Sequence, residues 1–170
     1  MRRADPSGDM PFVKNPDTDK LWSFALATYQ KPEVAQLCLQ WQHVFGADVN
    51  LLLTAAWLAS RQQTWAVDIV EGLERHCASW RAYGVVPLRA ARIGVRNSVL
   101  YPAVKSLELQ AERLQLAMIE RWLLQSPLLV GSLPAAQCLV VNIDAYIRSP
   151  LLIALPAAAT VQTLVSALDR

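Results

Sequence analysis

Five side chains of this sequence could act as soft metal ligands or nucleophiles: Cys38, His43, His76, Cys77 and Cys138. His76 and Cys77 are adjacent, so on a helix they point about 100° apart and cannot jointly chelate a metal without help. His43 follows Cys38 by five residues, again a poor spacing for one face. A structural zinc needs four ligands in paired spacings, which these positions do not offer. Cys38 and Cys77 lie on apolar stripes, where a thiol behaves as a small hydrophobe. Phosphate-loop, dinucleotide, nucleophile-elbow and zincin patterns are missing from the sequence. The expectation is therefore no metal, no cofactor and no catalytic residue.

The remaining polar signals are carboxylates and arginines. Glu108 and Glu112 are four residues apart, a spacing that could present two oxygen ligands from one helix face. A dinuclear bundle also needs Glu-x-x-His pairs, which the chain lacks, so a solvated face compensated by Lys105 and Arg113 is expected. Arg89, Arg92 and Arg96 fall on one face of a helix, opposite Ala91, Val95 and Val99. They occupy its first half, where the helix dipole disfavours cations. That placement suggests an exposed surface meeting an anion or an acidic partner, with pairing to Glu71, Glu74 or the carboxylates of the long helix as the alternative. Gly46-Ala47-Asp48 separates two helices, but the following Val-Asn-Leu-Leu-Leu-Thr-Ala-Ala-Trp-Leu is too apolar to read base edges. Asp48 is expected as a structural cap. Alanine there would cost about 0.5–2 kcal/mol and asparagine much less. Asn50 is expected to bond locally in the first turn.

The elements that would carry these groups are helical. Apolar residues recur at helical spacing across residues 17–29, 32–45, 49–60, 64–80, 87–99, 103–125, 134–148 and 156–168. Asp17 and Asp19 suit the first start, Pro32 the second and Thr64 the fourth, while Gly46 and Gly84 act as stops. Helix 49–60 is apolar nearly all round and must be enclosed by others. The expected fold is all-α: a single bundle of seven or eight helices around that central helix, as one domain over residues 17–170, preceded by a flexible tail over residues 1–16. In the longest helix Val104, Leu107, Ala111, Leu114 and Met118 alternate by three and four, a coiled-coil-like seam and a candidate homodimer interface.

Composition is compatible with this plan. The 170 residues are 54% hydrophobic and 18% charged, enough for a sizeable core without disulfides. A formal net charge of +2 gives no strong global attraction to nucleic acid or anionic membrane. Three scattered cysteines do not suggest a secreted disulfide framework. The apolar stretches are too short or too interrupted for a membrane span of about 20 residues. A cytoplasmic location is expected.

Three segments resemble a family of small bacterial helical proteins known only as a domain of unknown function. They are Leu21-Trp22-Ser23-Phe24-Ala25-Leu26 with Tyr29, Gly46 through Leu53, and Trp80-Arg81 with Val85-Val86-Pro87-Leu88-Arg89 and Arg92. The resemblance covers about residues 20–125 and implies a fold and a bacterial cytoplasm, without a site. The functional expectation is a non-enzymatic interaction or regulatory protein acting through helix surfaces. The alternative is a nucleic-acid or phosphate-ligand binder using Arg89, Arg92 and Arg96.

Overall fold

A computed structural model describes residues 20–169. The expected tail over residues 1–16 and the helix-start residues Asp17 and Asp19 lie outside the described residues. Among the described residues there are eight α-helices, one π-helical turn and a two-stranded sheet. The all-helical reading of the sequence is correct.

The centre is α3 (Val49–Ser60), in which ten of twelve residues are buried. A helix with no polar face can persist only if neighbours cover every side. Here α1 (Lys20–Tyr29), α2 (Pro32–Phe45), α6 (Tyr101–Leu123) and α7 (Ala135–Arg148) surround it, with α7 making the most extensive contact. The α2–α3 junction is tight because Gly46 takes a left-handed φ of 70° and returns its N–H to the Trp41 carbonyl. A side chain at Gly46 would be strained by that φ and would also press on Ile153. α8 (Ala158–Leu168) packs on α2 and α7. At the far end of α6, the buried Glu120 accepts the Leu21 N–H at 3.3 Å, so one helix supplies an acceptor for the open start of another.

Three boundaries differ from the sequence reading. Thr64 does not cap a helix. Gln63–Thr64 form strand β1, paired antiparallel with β2 (Leu129–Val130), and α4 starts only at Val67 (Val67–Trp80). The switch is made possible by Asn142 on α7, which is fully buried. Its Oδ1 accepts the Trp65 N–H at 3.0 Å, and its Nδ2 donates to the carbonyls of Ala55 at 3.1 Å and Gln63 at 3.0 Å. The Trp65 indole N–H in turn donates to the Asn142 carbonyl at 2.9 Å. Local propensity cannot reveal a link spanning 77 residues. Second, Gly84 does not stop the chain, because Trp80 leads through the π turn Arg81–Val85 directly into α5 (Val86–Gly94). Third, α5 ends at Gly94, well short of residue 99, and residues 95–100 form turns before α6 begins with Pro102 in its first turn.

Replacing Asn142 with Leu should therefore destabilise more than its volume suggests. It strands several buried backbone groups, each costing about 1–3 kcal/mol when unpaired. Chemical denaturation should show a large fall in midpoint, and an unchanged midpoint would show that Asn142 is not the junction described.

Candidate functional site

The π turn is where the local sequence departs from regular helix, and the cause is Pro87. Proline lacks an N–H and its ring clashes with the carbonyl four residues back, here Tyr83. The chain widens instead, and the Val86 N–H reaches Arg81 O five residues earlier. Gly84 fits because a Cβ there would lie 3.2 Å from the Trp80 indole. That indole is itself anchored, donating to the Ala111 carbonyl on α6 at 2.9 Å.

The widened turn aims Arg81 at Asp48. Asp48 does what a helix cap does, accepting the Asn50 N–H at 2.9 Å through Oδ1. Its other oxygen accepts Arg81 at 3.2 Å and Gln115 Nε2 of α6 at 2.7 Å. The Asp48 N–H donates to the Tyr146 hydroxyl of α7 at 2.8 Å. Burial, followed by the nearby Asp48 charge, pushes the Tyr146 hydroxyl well above its ordinary value. Arg81 is also held by both oxygens of Glu74 on α4. One aspartate thus links α3, the π turn, α6 and α7.

A second cluster ties α5 to α6. α5 has no buried residue of its own, so apolar packing alone would hold it loosely. Arg89 donates to Glu108 at 3.2 Å and to Glu112 at 2.8 Å, and Arg92 donates to Glu108. The expectation that Glu108 and Glu112 form a solvated face is corrected. Glu108 is 6% exposed, and its partners are Arg89 and Arg92, not Lys105 and Arg113. Of the two readings of the three-arginine face, pairing with the carboxylates of the long helix holds for two of the three. Arg89 and Arg92 are partnered within the chain, while Arg96 is exposed in the turns beyond α5. Burial opposes the charge on Arg89, but its bonds to Glu112 and Glu108 leave it above its ordinary value. At Glu112 burial raises the carboxyl, Arg89 opposes this only in part, and the charges of Glu108 and Asp48 add to it. Burial also raises Tyr29 on the facing helix.

Between the two clusters lies a cavity of about 550 Å³, within the range of small-molecule sites. α1 contributes Trp22, Leu26 and Tyr29, and α3 contributes Val49, Asn50 and Leu53. The π turn and α5 add Arg81, Val85, Val86, Arg89 and Arg92, and α6 adds Lys105, Glu108, Leu109, Glu112, Gln115 and Leu116. The three segments on which the family resemblance rests all border this one space. Sequence reasoning did not assemble it, although the Trp80-Arg81 and Val86-Pro87 runs carried the signal. Asn50 departs most from expectation. Its backbone is bonded locally, but its side-chain amide has no hydrogen-bond partner among the described residues, although the residue is 8% exposed. Its amide atoms are not sealed inside the protein, so they are open to an occupant of the cavity.

The other candidates lie apart. Of the proposed seam, Ala111 is buried and Met118 packs on the core, whereas Leu107 and Leu114 are 51% and 36% exposed and Val104 is half-buried. Cys38, Cys77 and Cys138 are buried free thiols. Burial pushes Cys38 up to about 12, and burial with the Asp48 charge does the same to Cys77. His43 and His76 are exposed. Among the described residues no group of His, Cys, Asp and Glu could hold a metal ion.

Two outcomes follow from the clusters. If Asp48 were only a cap, asparagine would replace it almost silently. Because its second oxygen serves Arg81 and Gln115, Asp48→Asn should cost about 1–3 kcal/mol, approaching Asp48→Ala. Denaturant titration of both variants checks this, and a silent asparagine would contradict it. For Glu112 the folded carboxyl binds its proton more tightly than the unfolded one. Its contribution is thus fully present below the ordinary carboxylate value and is lost as pH rises through the raised one. Wild type should gain stability relative to Glu112→Gln as pH falls from neutrality into the carboxylate range. A relative loss in thermal melts over that range would contradict the assignment.

No curated protein and no solved structure matches the chain. The family described as a protein of unknown function, DUF2390, matches residues 20–119, which span α1 through most of α6 and hence every helix bordering the cavity. The chain belongs to the DUF2390 family.

Proposed function

We propose that this chain is a non-enzymatic binding protein with a regulatory or adaptor role, and that its working surface is the cavity between α1, α3, the π turn, α5 and α6. The observation that carries the reading is the cavity itself, a space large enough for a small molecule, with the Asn50 side-chain amide on its wall making no hydrogen bond to a described residue. Two charged clusters hold the walls in place, which is what preorganised binding requires. The groups most able to do covalent chemistry support a binding role. The thiols of Cys38 and Cys77 are buried and held protonated, and Glu108 is occupied by two arginines. The arginine alternative takes a narrower form here. With Arg89 and Arg92 engaged by Glu108 and Glu112, an extended nucleic-acid backbone finds little spare charge, whereas one anionic group entering the cavity could be met. No helix of the described residues is long and apolar enough to cross a membrane, and a cytoplasmic setting accompanies the proposal.

Native mass spectrometry of chain purified from cells tests the proposal. Wild type should carry a small-molecule adduct, and Leu26→Trp, which fills the mouth from a position already 41% exposed, should lose it without unfolding. A ligand-free wild type, or an adduct retained by the filled variant, would contradict it.

Self-association is a second reading, favoured by the exposure of Leu107 and Leu114 on α6. Light scattering of wild type and Leu114→Glu checks it. A dimer that becomes a folded monomer supports an interface, and a wild-type monomer at high concentration removes it.

A further inference from the structure

The cavity is asymmetric along α6, and the asymmetry specifies a ligand. Lys105 and Gln115 stand ten residues apart, about 15 Å along a helix rising 1.5 Å per residue. At the Lys105 end, Arg89, Arg92 and Lys105 face Glu108 and Glu112, so one positive charge is left over. Lys105 makes no hydrogen bond or ion pair with another described residue. Arg89 and Arg92 also retain N–H groups that Glu108 and Glu112 do not use. At the Gln115 end two carboxylates, Asp48 and Glu74, share the single guanidinium of Arg81, so no positive charge is left over. Asp48 is shared by Arg81, Gln115 and the α3 N-terminus, and Arg81 is completed by Glu74. What remains there is neutral: the whole Asn50 amide, and the Gln115 carbonyl oxygen, which accepts from no described residue. The walls between the two ends, including Leu26, Leu53, Val85 and Leu109, are apolar.

Resting on the reading of the cavity as a binding site, we propose that its ligand is an elongated amphiphilic monoanion. An acidic head, carboxylate or phosphate, sits at Lys105 and Arg92. An apolar middle runs along α6, and an uncharged hydrogen-bonding group at the far end meets Asn50 and Gln115. Each part answers a group the protein leaves unsatisfied. A plain alkane would leave the Asn50 amide dry and unpaired, and a cation would meet the surplus charge of Lys105.

Isothermal titration of the full chain with omega-hydroxydecanoate, decanoate, decyl phosphate and decanol reads the three parts separately. The expected order places omega-hydroxydecanoate above decanoate, and both above decanol by about tenfold per added polar contact. Decyl phosphate against decanoate distinguishes the two acidic heads. Lys105→Glu should weaken all the acids and leave decanol unchanged. Asn50→Leu removes no hydrogen bond of the side chain, so it should fold, and it should erase or reverse the preference for the terminal hydroxyl. Equal affinity for the acids and decanol overturns the acidic head while leaving the cavity as a binding site. An Asn50→Leu variant that keeps the hydroxyl preference overturns the far-end contact. Failure of wild type to bind any of the four overturns the inference. If native mass spectrometry still shows an adduct lost in Leu26→Trp, the cavity reading survives with a different ligand.

Discussion

The arrangement of this protein depends on the ion pair between Asp48 and Arg81. Asp48 sits at the start of the buried helix α3, where its cap bond alone would be an ordinary contribution to stability. Its second oxygen carries the wider structure, joining the π turn through Arg81 and α6 through Gln115. The Asp48 side chain is 10% exposed and that of Arg81 33%, so the pair is only partly desolvated. A fully buried pair would carry a larger desolvation cost, and a surface pair would hold nothing in place. Glu74 completes the guanidinium and ties it to α4.

This anchoring explains how a short amphipathic helix without a buried residue can form a wall. α5 emerges from the π turn at an angle that packing of its own side chains could not set. The Asp48 pair fixes where it starts, and the bonds of Arg89 and Arg92 to Glu108 and Glu112 fix how close it lies to α6. Between the two fastenings the helices do not collapse onto each other, and the cavity is the space left. At Glu112 burial raises the carboxyl and the bond to Arg89 opposes this only in part.

Periodicity made the fold legible. α2 and α3 begin and end where Pro32, Gly46 and Asp48 mark them, because those signals are local. The β1–β2 pairing was not legible, since it depends on Asn142 reaching Trp65, Ala55 and Gln63 across the core. The early end of α5 at Gly94 was visible only as a glycine within an otherwise helical pattern, which propensity alone does not settle. For the site, the residues were identified and their partners were not. Arg89, Arg92, Glu108 and Glu112 all stood out by spacing, yet their mutual pairing requires the turn at residues 95–100 that folds α5 back on α6. Asp48 was read as a cap because capping is local, while its bond to Arg81 crosses 33 residues. Asn50 was the least accessible, because the absence of a partner appears only when every neighbour is in place.

Amide hydrogen exchange of Arg81→Gln, followed residue by residue, measures whether this ion pair positions the cavity wall. The account predicts faster exchange confined to residues 81–94 and the first turn of α3, with the α3–α7 core protected as in wild type. Unchanged protection in residues 81–94, or a uniform loss over the whole chain, would show that the wall is held by something other than the Asp48–Arg81 pair.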